Sequence, residues 1–151
     1  SGDIAELEQQ HGNRDQSSRV QAVCDFFGPT DFLRMDQDSI PDSPIQHHAV
    51  DSPESKLVGG AIHENRGNVA KANPITYVSD DDPPFLIVHG DRDPLVPWQQ
   101  SQYLYDALKE AGVASVSLHI IKDAGHGFGP NQQVKSLVDE FFQHHLQDSN
   151  K

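Results

Sequence analysis

Apolar positions along the chain fall into three short runs of strand type, each bounded by turn-forming residues, with helical patterns after the second and the third. Val20 to Phe27, reading VQAVCDFF, is apolar over a short length, as a parallel strand covered on both faces would be, and Gly28-Pro29 stops it. Phe85 to His89 is the second strand, announced by the turn chemistry of Asp80-Asp81-Asp82-Pro83-Pro84, and Val116 to Ile121 is the third. Between these two, Gln99 to Ala111 places Leu104, Ala107, Leu108 and Ala111 at i, i+3, i+4 and i+7, with Gly112 set to end the helix. Asn131 can cap a last helix, Gln132 to His144, in which Val134, Leu137, Val138, Phe141 and Phe142 make one apolar stripe. Strands alternating with helices predict a parallel sheet with right-handed crossovers, and therefore an α/β fold.

The rest of the chain does not follow this alternation. Residues 1 to 19 are polar, with a short helix expected over Ile4 to Gln10 and ended by His11-Gly12-Asn13. From Thr30 to Asp82 short helical pieces alternate with breaks rich in Pro, Asp and Ser. Ser52-Pro53-Glu54 reads as an N-cap, a proline at the first helical position and an acid in the first turn, with Gly59 or Gly60 as the stop. An insertion of about fifty residues between two core strands is long for a connection, so it reads as a cap over a site.

Composition narrows the function classes. At 151 residues with 35% hydrophobic and a net charge of −12, the chain fits one acidic domain with long polar loops. The charge and the lack of a Lys/Arg run argue against nucleic acid or an anionic membrane surface as partner. No apolar run approaches the ~20 residues that span a bilayer. Location stays open between cytoplasm and export. Cys24 is the single cysteine and, inside an apolar strand, reads as a buried structural thiol. The start at Ser1-Gly2-Asp3, without methionine, leads us to expect a piece of a longer protein.

Two loops carry candidate chemistry. The second strand ends in HGDRDPLVP, which presents Asp91 and Asp93 beyond the carboxyl end of a strand, where parallel sheets gather their catalytic groups. Both are equally good turn formers. The third strand runs into DAGHGF, where Gly125 and Gly127 leave the ring of His126 free of neighbouring side chains, and an imidazole titrates near neutrality. Of the other histidines, His47, His48, His144 and His145 read as surface, His89 as packed at a strand end, and His119 as alternating within a strand. No H-E-x-x-H, C-x-x-C or EF-hand spacing occurs, so no metal site or cofactor is expected. No serine sits in a G-x-S-x-G elbow.

FLIVHGDRDPLVP followed by DAGHGF resembles the acid and histidine motifs of the α/β-hydrolase superfamily, in particular bacterial esterase/lipase-like carboxylesterases of the acetyl, feruloyl or xylan esterase type. SSRVQAVCDFFGPTDF is similar to the strand after the nucleophile helix in these enzymes, and ANPITYVSDDDPPFLIVHG to their run into the acid strand. The resemblance implies that residues 1–151 are the C-terminal part of one α/β-hydrolase domain, with a cap-like insertion at about 30–82 and the nucleophile-bearing half upstream. It implies a serine hydrolase of carboxylic esters in which Asp93, in H-G-x-x-D-x-x-V-P, is the triad acid and His126 the base. Phe27, Phe32, Trp98 and Phe128 could line an acyl or aryl pocket, or serve only as core. The expected partner is a small ester substrate, and an unpaired sheet edge would favour self-association. The alternatives are a peptidase of the prolyl oligopeptidase type and a non-catalytic scaffold module.

Overall fold

A computed structural model describes residues 16–147; the short helix expected over Ile4 to Gln10 lies outside them. Three parallel strands, β1 (Val23–Phe26), β2 (Phe85–Gly90) and β3 (Val116–Ile121), form one sheet in the order β1-β2-β3. Val23 lies opposite Phe85, and Phe85 opposite Val116, so all three strands start level and deliver their C-terminal ends to one edge.

β1 is shorter than the apolar run that announces it. Val23 N–H donates to Pro84 O at 2.9 Å, and beyond that point Pro83 and Pro84 carry no N–H to continue the ladder. At the other end Phe27 turns out of the strand with φ 59°, a left-handed conformation that costs an aromatic residue energy and calls for support from its surroundings.

The middle strand is buried along almost its whole length, which accounts for its unbroken apolar sequence. Its two sets of alternating side chains serve two cores. Leu86 and Val88, with Ile121, pack against Val134, Leu137, Val138 and Phe141 of the last helix (Gln132–Gln147). Ile87 packs on the opposite face with Leu104 and Leu108 of the helix Gln99–Ala111 and with Val113. Gly112 ends the latter helix at φ 90°, and Asn131 Oδ1 accepts from Val134 N–H at 3.2 Å to cap the former.

Between β1 and β2 the chain forms α1 (Met35–Asp38), α2 (Pro53–Val58) and α3 (Arg66–Ala72) with two short 3₁₀ turns. The two longer helices described above are therefore α4 (Gln99–Ala111) and α5 (Gln132–Gln147). Ser52 Oγ accepts from Ser55 N–H at 3.0 Å at the start of α2, and Gly59 closes it at φ 85°. This segment has a core of its own, made of Phe32, Met35, Val58, Ile62 and Val69. It is fastened to the sheet by buried Gln100 of α4, whose Oε1 accepts from Thr30 N–H and Asp31 N–H at 2.9 and 2.7 Å, and by Ser43 Oγ donating to Pro94 O at 2.8 Å.

His47 is a correction to the sequence reading, which put it on the surface: its side chain is 1% exposed and lies 3.1 Å from Glu54 Oε1. The cause is Asp36, whose two carboxylate oxygens accept the backbone N–H groups of His47 and His48 at 2.7 Å each and so fold the loop inward. His48 stays partly exposed, its Nδ1 against Asp36 Oδ2 and its ring stacked on His63 at 4.1 Å. Burial would raise the Glu54 carboxyl, but hydrogen bonding to His47 and to the helix start outweighs it and holds the group below its ordinary range.

Candidate active site

The level C-terminal edge of the sheet brings the loops after β2 and β3 together. Asp91 N–H donates to Ile121 O at 3.1 Å and Arg92 N–H to Ala124 O at 2.9 Å, while Asp91 Oδ1 accepts from Asp123 N–H at 2.6 Å. Asp91 is thus occupied in joining the two loops. Gly90 makes this approach possible, because a Cβ there would overlap Ala124 O and stand 2.6 Å from Gly125 O.

Asp93 points the other way, into the protein, with no side-chain exposure. Its Oδ1 accepts from Leu95 N–H at 2.8 Å and Val96 N–H at 3.0 Å, which folds Asp93 to Val96 into a tight turn. Its Oδ2 faces two imidazoles, His126 Nδ1 at 2.8 Å and His89 Nε2 at 3.2 Å. Desolvation alone would raise the Asp93 carboxyl; the bonds from His89, Val96, Leu95 and His126 override it and hold the pKa at about 2. Asp93 is therefore an anion at neutral pH.

His126 is partly exposed, 37% for its side chain. Gly125 and Gly127 bridge each other, with Gly127 N–H donating to Gly125 O at 2.8 Å and Gly127 at φ 150°, so the backbone makes a small knuckle with the ring at its crown. A carboxylate can only accept, so Nδ1 carries the proton whenever the ring is neutral, and Nε2 is left as the basic nitrogen.

The aromatic residues divide. Phe27 packs on His126 at 4.7 Å between ring centres and on Phe128 at 4.6 Å, and Phe26 meets Phe128 edge-on at 5.3 Å. Phe26, Phe27 and Phe128 form one end of a groove of about 570 Å³ that runs along α5 past Val134 and Val138. His126 and Asp93 are not in its lining but adjoin it through Phe27. Phe32 lies elsewhere, 4% exposed in the core of the segment between β1 and β2. Trp98 stands at the N-cap of α4, its carbonyl accepting from Ser101 N–H at 3.1 Å, and none of the ring contacts among the described residues joins it to the cluster.

Sequence reading did not single out Ser101 or Gln100, both fully buried beside the site. Polar residues in the first turn of an amphipathic helix carry no pattern that separates them from solvent-facing ones.

A parallel sheet, helices on both faces, an acid loop after one strand and a histidine loop after the next define an α/β-hydrolase fold. A truncated carbohydrate esterase from gut microbiota superposes with a TM-score of 0.74 and 32% identity, covering 87% of this chain and 45% of that one. The chain belongs to the BD-FAE family, whose model matches residues 1–108. It is 33% identical over 129 residues to the esterase LipQ of Mycobacterium tuberculosis, covering 85% of this chain and 29% of LipQ. To the probable carboxylic ester hydrolase LipM of the same organism it is 32% identical over 121 residues, covering 79% of this chain and 26% of LipM. The chain thus spans less than a third of the length of these relatives and under half of the matched structure.

Proposed function

We propose that this chain is the acid-and-base-bearing part of a serine hydrolase of carboxylic esters, with short acyl or carbohydrate esters as the substrate class. The observation that carries this reading is the 2.8 Å contact between a buried, ionised Asp93 and a partly exposed His126 at the C-terminal edge of a parallel sheet. The likeness to esterases supports the ester as the bond attacked.

In this reading a serine from upstream hydrolase sequence attacks the ester carbonyl. His126 Nε2 takes its proton and then returns one to the leaving alcohol, while Asp93 fixes the ring tautomer and stabilises the imidazolium. Phe27 and Phe128 are the pocket wall nearest the base, and the segment 30–82 is a cap held against the acid loop by Ser43 and against α4 by Gln100.

The test is the polypeptide extended upstream to include its serine elbow. It is expected to hydrolyse nitrophenyl acetate with an acyl-enzyme burst, and His126→Ala is expected to lower turnover by about a millionfold. Activity that survives His126→Ala would remove the reading, and faster cleavage of a prolyl nitroanilide than of the ester would make the protein a peptidase instead.

A further inference from the structure

Asp93 holds two histidines, and the proposed reaction uses one of them. His89, at the end of β2, is fully buried. Its Nε2 faces Val96 O at 2.9 Å and Asp93 Oδ2 at 3.2 Å. Its Nδ1 lies 2.7 Å from Ser101 Oγ in the first turn of α4. A carbonyl and a carboxylate accept and cannot donate, so Nε2 keeps its proton in either protonation state of the ring. In the neutral ring Nδ1 then accepts, and the Ser101 hydroxyl donates to it.

We infer that His89 is a positioning residue: Ser101 holds its ring from the Nδ1 side, and the Nε2 proton, shared between Val96 O and Asp93 Oδ2, restrains Oδ2 so that one direction remains for His126. The inference rests on the reading of Asp93 and His126 as acid and base. Leu95 and Val96 N–H groups tether Oδ1, but on their own they leave the carboxylate able to swing Oδ2 about that tether. The His89 Nε2–H, whose shorter contact is with Val96 O at 2.9 Å, also reaches Oδ2 at 3.2 Å and narrows this freedom, and a contact to an anion between buried groups is stronger than a neutral one. Phe27, edge-on to His89 at 5.6 Å and packed on His126 at 4.7 Å, holds the two rings apart on one side. The result is a continuous chain in which Ser101 donates to His89 and His89 towards Asp93, whose carboxylate also accepts the His126 Nδ1–H. Its geometry is set by residues of α4 and β2, and not by the loop that carries His126.

The test is proton and nitrogen NMR at neutral pH on the chain labelled with ¹⁵N-histidine. The wild type is expected to show a downfield His126 Nδ1–H and a His89 ring with its proton on Nε2. Asp93→Ala should abolish the His126 signal; if it persists, the acid assignment fails and this inference falls with it. Where that arm succeeds, a folded His89→Phe should speed exchange of the His126 proton with solvent by about tenfold or more. His89→Gln, whose amide can reach Oδ2, should bring the rate back toward wild type. Ser101→Ala should shift the His89 Nδ1 resonance, which loses its hydroxyl donor, and speed exchange of the His126 proton while the fold melts cooperatively. An unchanged His126 exchange rate in folded His89→Phe overturns the inference. If that variant does not fold, an unchanged His89 nitrogen pattern in Ser101→Ala overturns it equally.

Discussion

At the scale of the residue, Asp93 and its neighbours allow two predictions. Its pKa of about 2 lies below the value of about 3.9 expected for an unfolded aspartate, so its charge stabilises the fold. A depressed carboxyl contributes fully above the unfolded pKa and loses that contribution as pH falls through the folded one, so the window is roughly pH 4 to 2. Urea unfolding of wild type and Asp93→Ala is therefore expected to differ by on the order of 2 kcal/mol at pH 6, with the gap closing as pH drops through that window. A gap that is constant with pH would mean Asp93 acts by packing. The opposite sign holds at Cys24, whose thiol is pushed up to about 11 by partial burial and by the adjacent Asp25. Alkylation of Cys24 by iodoacetamide is expected to be slow at pH 8, to rise about tenfold per pH unit and to level off only above about pH 11, since the thiolate is the reactive form. The meeting of Asp93 and His126 was legible in the sequence because each follows an apolar strand, while the choice of Asp93 over Asp91 came from the resemblance of H-G-x-x-D-x-x-V-P to a family motif. The burial of His47 was not, because it depends on Asp36, which is eleven residues away in α1.

At the scale of the element, what matters is that β2 and β3 end level and their loops touch. Gly90 is the point of closest approach, and in Gly90→Ala the new methyl would meet the backbone of Ala124 and Gly125 instead of a yielding side chain. The loop bearing His126 has to move, so this variant is expected to lose the downfield His126 proton and about 1–3 kcal/mol of stability. Ser52→Ala makes the contrast. It removes the cap of α2 at a cost of about 1 kcal/mol and should leave the His126 signal in place, since Ser52 caps α2 and takes no part in the contact between the loops after β2 and β3. Finding the same spectral loss in both would show that the signal reports global stability and not the loop contact. The elements themselves were readable where periodicity is strong: β3 and α4 have the boundaries their patterns predict, and α5 runs three residues past His144. β1 was over-read because an apolar run says which residues can enter a sheet. The prolines before β2, sixty residues away in sequence, decide how many find a partner.

At the scale of the whole molecule, the described residues hold a base oriented by an anion, and no serine hydroxyl among them is bonded to His126. An oriented imidazole can deprotonate a hydroxyl or a water, but ester hydrolysis at enzymic rates also needs an acyl acceptor held in place and N–H donors aimed at the developing oxyanion. Among the described residues β1 lies at one side of the order β1-β2-β3 and its last residue, Phe26, is 42% exposed, so the aromatic end of the groove next to His126 faces outward. Purified residues 1–151 are therefore expected to cleave nitrophenyl acetate slowly, in proportion to substrate concentration, with no burst and no saturation. The exposed histidines account for this rate, so His126→Ala should lower it only in proportion to their number and Asp93→Asn hardly at all. Saturation with a stoichiometric burst would be the contrary result. It would mean that a serine of this chain is the nucleophile, and that the proposed division of the triad between this chain and upstream sequence is wrong.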